Sequence, residues 1–501
     1  MTHMVLTNYW RSCLLQHFLE SLANTNHYVF VSRYTPWTDD DDPDEADESL
    51  YVSHYLPHRE MIYAKKFDDT DCAYLVTRNV WTTNTLYSAY DDRDEELRDK
   101  TFFVITDERK VYKCLFNNAN TRSTSKPTTT ANTPFQTGDG YIWKYMFTVT
   151  QAKLDAHETS TLFPIEANAT IEEAAIDGAL DVILVETNGN NWVATTNGTI
   201  VSKVSNTLFQ IANAASTSND IYVDSAMYIQ AGNGAGLLSV ITDYVSNSTG
   251  NFVTLATAMS NVTLGSQYLI TPQIRITGDG SGAKAYCTVN ANTFKIQDVS
   301  VINVGSGYSR ATVNAVAAAG VGNTSVVLRA VIGPPGGHGS NPVDELMSQR
   351  LSISIDIESS DAMPSNVDFR TAGIIKAPLA RNSANAFVNA EIVQHYRANI
   401  ALGVGITSPF SNDEVITGQT SGATGTVLWS NTTYLRFSSV LGTFANAETI
   451  IGANSSVAAT ISAINTPDVE ENSGEVLCVQ NFEPIVRTAV TNETVRVILK
   501  V

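Results

Sequence analysis

The chain has 501 residues, enough for two to four domains each with its own core, and its 43% hydrophobic content is ordinary for a globular protein. Only 16% of residues are charged, and the formal net charge is −20 with a pI near 4.7. Without clustered lysine and arginine the chain is poorly suited to nucleic-acid phosphates or to an anionic membrane surface, so neither is expected as a partner.

Residues 8 to 23 read as an amphipathic helix, with Trp10, Cys13, Leu14, His17, Phe18 and Leu22 at helical spacing. The strand Tyr28-Val29-Phe30-Val31 follows. Residues 39 to 48 are almost all Asp and Glu and predict a solvated, self-repelling loop, without the glycine turn and spaced ligands of a calcium loop. His54 and His58 are four apart, but Pro57 between them is expected to spoil the helix a metal pair would need.

From 60 to 150 short strands alternate with turns: 61 to 64, 74 to 76, 101 to 106 and 111 to 115. Asp91 to Asp99 is acidic and expected to be exposed. Residues 117 to 134 form an irregular loop rich in Asn, Thr, Ser and Pro. The stretch Gly138-Asp139-Gly140 then opens into a strand with rings at Tyr141, Trp143, Tyr145 and Phe147. A period of two puts all four on one face, with Lys144 as the only charge on the other. Weak helices are expected within 152 to 156 and 171 to 180.

Two internal duplications follow. Asp181 to Trp192 echoes Asp298 to Tyr308, each a strand, a small-residue turn and an aromatic. Asn412 to Gly418 recurs as Asn446 to Gly452, and their continuations match in type. Two copies are too few for a solenoid and suit a small β-module of paired hairpins. The expected architecture is mainly β: a β-sandwich-type core assembled from N- and C-terminal segments, a few peripheral helices, and inserted small β-domains. In chain order this gives 1–180 as core with the N-terminal helix, 181–332 as an inserted β-domain and 333–400 as a core segment. Residues 401–465 form the duplicated module and 466–501 the last core strands.

No chemistry-bearing constellation emerges. Gly278-Asp279-Gly280-Ser281-Gly282 lacks the Gly-Lys-Ser/Thr ending of a phosphate loop and reads as a turn. Gly305-Ser306-Gly307 lacks the strand-turn-helix context of a nucleophile elbow. The cysteines at 13, 72, 114, 287 and 478 have no CxxC spacing and read as reduced small hydrophobes of a cytosolic protein. No catalytic residue, cofactor or metal is expected, and no apolar run has the length of a signal or a membrane span. His338 sits in Pro334-Pro335-Gly336-Gly337-His338-Gly339, a connector leading to a helix that begins near Pro342 with Ser340 or Asn341 as cap. Its imidazole is expected to bond to backbone.

Several segments together resemble the baseplate wedge subunit family (the product of gene eight) of T4-like contractile-tailed bacteriophages. They are Val29 to Trp37, Val76 to Trp81 with Tyr87 to Asp92, Val111 to Leu115, Gly138 to Tyr145, Asp368 to Leu379, and the tail from Ser473 through Val501. The last includes Asn481-Phe482-Glu483-Pro484-Ile485, similar to the family's Asn-Arg-Pro-Pro-Ile ending. The pieces keep family order and touch a little under half of the chain, whereas 181–332 and 401–465 have no counterpart.

The resemblance implies a homodimer that joins other wedge proteins around the tail hub, assembled in the host bacterial cytoplasm and carried in the virion at the tail baseplate. Such a protein is not an enzyme; it holds neighbours together and helps relay the sheath-contraction trigger. Core or interface anchors on this reading are Tyr34, Trp37, Trp81, Tyr141, Trp143, Tyr145, His338, Phe369, Arg370 and Pro484. The alternative is a glycan-binding or glycan-cleaving tail fibre or spike.

Overall fold

The computed structural model describes residues 8–33, 39, 41–42, 49–212, 215–316, 325–358, 367–381, 398–403, 406–470, 472–488 and 492–501. Tyr34, Trp37 and most of the acidic run at 39–48 lie outside them. The chain divides into two compact units, one made of 1–77, 151–165 and 347–501, the other of 78–150 and 166–346. Residues 78–150, grouped with the N-terminal core on sequence grounds, thus cluster with 166–346.

The first unit contains the expected sandwich. One antiparallel sheet runs Met61–Phe67, His27–Ser32, Asp368–Lys376, Glu475–Val486; the other runs Glu493–Lys500, Arg350–Ile357, Cys72–Thr77, Leu162–Pro164. Val29, Phe67 and Ile374 of the first face Cys72, Leu351, Ile353 and Ile355 of the second in one apolar cluster. Each fully buried side chain of this size contributes about 1.5–3 kcal/mol of transfer free energy. N-terminal and C-terminal segments are therefore held together by the core, not by chain proximity.

The helix Asn8–Leu22 packs on the same cluster, but with a different face from the one expected. Leu15 is buried, with Phe18, Leu19 and Leu22 beside it, while Trp10 and Leu14 are 53% and 42% exposed. Apolar residues occur on two overlapping stripes of this helix, and tertiary packing selects between them. Pro57 also departs from expectation. A π turn, Tyr51–Tyr55, runs directly into the α-helix Leu56–Glu60, with Pro57 in its first turn; His54 lies in the π turn and His58 in the α-helix.

The duplicated module is a closed six-stranded barrel: Ala398–Leu402, Val415–Gly418, Thr424–Ser430, Tyr434–Leu441, Thr449–Gly452 and Ala458–Asn465. The first strand pairs with the fourth and sixth, the second with the third and fifth, the third with the fourth, and the fifth with the sixth. Advancing every strand by three places in cyclic order reproduces the same pairings, so the barrel is two copies of a three-strand unit.

The second unit holds another six-stranded ring, from Thr196–Lys203, Leu208–Ile211, Ser225–Ala231, Leu238–Asn247, Gly250–Leu255 and Gln267–Gly278. Its pairings are those of the first barrel after a shift of one strand in cyclic order. The two barrels share one pairing scheme with the chain entry point moved.

A local device recurs at all four three-strand units. Asp413, Ala447, Asp224 and Gly265 have φ of 71°, 64°, 67° and 82°. Each donates its N–H across to the next strand of its unit, at Val427 O, Ile461 O, Ile241 O and Ile200 O, over 2.9–3.0 Å.

The rest of the second unit extends from this barrel. Beyond Pro272 the long strand Gln267–Gly278 pairs with Ala311–Val316, which leads through Val326–Val331 to Val182–Asn188. Trp192 and Tyr308, the aromatics ending the echoing segments, are buried in one cluster there. Asp279, in the glycine-rich turn, accepts from the N–H of Ser309 and of Arg310. A separate four-stranded sheet runs Phe103–Ile105, Lys110–Phe116, Ile142–Thr148, Phe135–Gln136. Among the described residues no helix is long and apolar enough to cross a membrane.

Candidate functional site

The two faces of that four-stranded sheet have opposite chemistry. Lys110–Phe116 and Ile142–Thr148 are antiparallel neighbours, and Tyr112, Cys114, Tyr141, Trp143 and Tyr145 enter one apolar cluster with Tyr87 and Ile171. Tyr141 and Trp143 stack with centroids 5.5 Å apart, and Tyr87 meets Trp143 edge-on at 5.8 Å. Phe147 is buried but lies past a register shift in the pairing. Trp81 packs half-buried against the cluster and donates Nε1–H to Ser123 Oγ at 3.3 Å. Asp139 pins the preceding loop by accepting from the N–H of Thr124 and Ser125 at 2.7 and 2.9 Å.

On the other face Lys113 and Lys144 are direct cross-strand partners, and both are buried. Like charges placed opposite each other repel, so the fold must supply counter-charge. It comes from the His338 connector and the short helix Pro342–Glu345, capped by Asn341, one of the two expected candidates. Lys113 Nζ, with its side chain 0% exposed, donates to Glu345 Oε2 at 2.8 Å and stands 3.0 Å from His338 Nδ1. It also lies over the Tyr90 ring at 4.1 Å from the centroid. Glu345 Oε1 accepts from the N–H of Gly339 at 2.7 Å and of Asn341 at 3.3 Å.

His338 therefore bonds to side chains and not to backbone, contrary to the sequence expectation. The flanking glycines make the approach possible. Gly337 and Gly339 have φ of +91° and +100°, and a Cβ on Gly337 would sit 2.3 Å from Ile176 O.

Burial brings the Lys113 ammonium down from its ordinary value, with Glu345 opposing. Burial and the Lys113 charge bring His338 down to about 4, so its ring is neutral near pH 7. Burial alone would raise Glu345, but Lys113 and His338 hold it down at about 2. Asp181, just before the strand Val182–Asn188, is pushed up to about 6 by burial, against the pull of Lys144 and Lys113. Lys144 donates to Asn132 O at 2.6 Å and is lowered by burial, with Asp181 and Glu345 opposing. With a neutral imidazole, two ammonium groups face two carboxylates. The Lys113–Glu345 pair locks the strand, the connector and the short helix to one another.

His338, Lys144 and Asp181 of this cluster line a cavity of about 1070 Å³, together with residues that include Tyr90, Phe135 and Asp298. The stretch after Asp91 borders it and is tied down: Arg329 meets Asp91 Oδ2 at 2.5 Å and Glu186 Oε1 at 2.6 Å, and Lys100 meets Asp94 at 2.7 Å.

Of the sequence-derived anchors, the structure brings Trp81, Tyr141, Trp143 and Tyr145 to the aromatic face and His338 to the charged one. Phe369 and Arg370 belong to the sandwich. Phe369 is buried and meets Phe482 edge-on at 6.0 Å, and Arg370 Nε is 3.8 Å from Asp368 Oδ2. Pro484 is half-buried where the edge strand slips register against Phe369–Thr371. Sequence reasoning did not single out Lys113, Glu345 or Asp181. The available signal was a lone lysine inside Val-Tyr-Lys-Cys-Leu, matching Lys144 in the neighbouring strand. Among the described residues no group of three or more His, Cys, Asp or Glu side chains is arranged to hold a metal ion.

No protein-family model matches the chain, and no curated protein does. Among solved structures, a chain from the virion of a native gene transfer agent (GTA) particle shows a weak, partial likeness. It is 13% identical, with a TM-score of 0.15, over 50% of this chain and 82% of that one. A superposition that poor transfers neither fold nor role.

Proposed function

We propose that this protein is a non-enzymatic structural component of the tail baseplate wedge of a contractile-tailed phage, a homodimer that links neighbouring wedge proteins and helps relay the sheath-contraction trigger. One observation carries this reading. Three of the segments resembling the wedge family are far apart in sequence, yet their strands His27–Ser32, Asp368–Lys376 and Glu475–Val486 are adjacent in one sheet. Cys72–Thr77 and Glu493–Lys500 flank Arg350–Ile357 in the facing sheet. Three of these fragments, weak singly, therefore meet in one sheet of the sandwich, whereas those at 87–92, 111–115 and 138–145 belong to the second unit.

The edge strand Glu475–Val486 exposes Leu477, Ile485 and Val486, which suits it to bury apolar area against another subunit. Mass spectrometry of purified particles should find the protein at a fixed ratio to other tail proteins, and cryo-EM should locate it in the baseplate. Its presence only in infected-cell lysate would end the reading. Light scattering should give twice the chain mass; three times that mass would favour a fibre or spike.

A further inference from the structure

One group lining the cavity stands outside the Lys113–Glu345 pair. The Asp181 side chain is only 9% exposed and lines the cavity. No described group donates it a hydrogen bond. His338 Nε2 is 4.0 Å from Oδ2, beyond hydrogen-bond reach. The two lysines nearby are committed elsewhere: Lys113 to Glu345, His338 and the Tyr90 ring, Lys144 to the carbonyl of Asn132. A carboxylate this desolvated is costly without a donor, and native folds seldom leave one so placed.

Carboxylates outnumber lysines in the lining. Five carboxylates line the cavity against two lysines. Asp91 and Glu186 are answered by Arg329, and Asp94 by Lys100. Neither Asp181 nor Asp298 is within 4 Å of a lysine or arginine; Asp298 is exposed and accepts from Thr288 Oγ1 at 3.4 Å. The Tyr90 and Phe135 rings supply aromatic wall. A cavity of this size, with aromatic residues in its lining and two carboxylates outside any lysine or arginine ion pair, has the composition of a site for a positively charged guest.

We propose that the cavity binds a protonated amine, with Asp181 as its anchoring carboxylate and Asp298 as the second acceptor for a guest carrying two charges. The same chemistry is offered by a free polyamine and by a lysine side chain of a partner protein. The site is independent of the wedge assignment.

The test is isothermal titration of the full chain with spermidine and, separately, with the blocked tripeptide acetyl-Gly-Lys-Gly-amide. Spermidine should bind with one site per chain, Asp181→Asn should weaken it at least tenfold, and Asp243→Asn, an exposed change on the neighbouring barrel, should leave it unaltered. Binding of the tripeptide alone, equally dependent on Asp181, also supports the site and identifies a partner's side chain as the source. Failure of both probes to bind, or equal affinity in Asp181→Asn, overturns the proposal. Should Asp181→Asn not fold, the wild type decides: the carboxyl ¹³C resonance of Asp181 must move on addition of whichever probe binds, and a resonance that stays put overturns the proposal.

Discussion

Glu414 reaches across its barrel to Ser455, accepting the backbone N–H at 2.8 Å and the hydroxyl at 2.6 Å. Its duplicate Glu448 makes the reciprocal contacts with Ser421, both at 2.9 Å. Each carboxylate is buried, and each also takes N–H groups from the residue before its serine and from three residues before itself. The glycines beside them are obligatory, since a Cβ on Gly452 would stand 2.5 Å from Glu414 Oε2 and one on Gly418 2.6 Å from Glu448 Oε2. The two halves of the barrel thus close each other's turns.

Glu414→Ala should therefore destabilise the protein by about 2–4 kcal/mol, because several donors lose their acceptor together. In a double-mutant cycle by urea denaturation, Ser455→Ala should be strongly coupled to it. Additive losses would show that the contact is not energetically used.

Lys113→Met strands Glu345 as a buried, uncompensated charge and should cost about 3–5 kcal/mol. The double variant Lys113→Met with Glu345→Leu should recover much of that loss in the same denaturation assay. A double variant worse than either single change would contradict the ion-pair account.

Asp181 titrates near 6 in the folded chain, above its ordinary carboxylate value of 3.8. A raised carboxyl contributes stability that is fully present below the unfolded pKa and is lost as pH rises through the folded one. Relative to Asp181→Asn, the wild type should gain about 2–3 kcal/mol between pH 7 and pH 4. The lowered histidines His338 and His157 act in the opposite sense across part of this range; distant His157 cancels in the difference, whereas His338, 4.0 Å from Asp181, is coupled to the change. Parallel stability–pH curves for the two proteins would contradict the burial of Asp181.

Gly337→Ala combines a left-handed backbone with a Cβ 2.3 Å from Ile176 O. It should cost at least about 2 kcal/mol by thermal or chemical denaturation. Gly236→Ala has a similar positive φ but open space around the added carbon, so it should be markedly milder.

Much of the fold was legible because strand alternation and turn chemistry are local. The runs at 28–31, 61–64 and 111–115, the helix start near Pro342 with a cap at Ser340 or Asn341, and the duplication around Glu414 and Glu448 could be read directly, and the mainly-β sandwich followed. The matching units of the other barrel could not. There the residues equivalent to Asp413-Glu414 are Asp224-Ser225 and Gly265-Ser266, so the backbone device persists while the side-chain signature is gone. The buried face of the N-terminal helix was misjudged because Leu14-Leu15 and Phe18-Leu19 offer two overlapping apolar stripes, and only the sandwich determines which one is covered.

By itself the sequence determined where strands and turns form, since those depend on a residue and its near neighbours. Which charges meet was decided by tertiary structure alone. Lys113 and Glu345 are 232 positions apart, and the strength of their pairing depends on a distance and a degree of desolvation that no local pattern records.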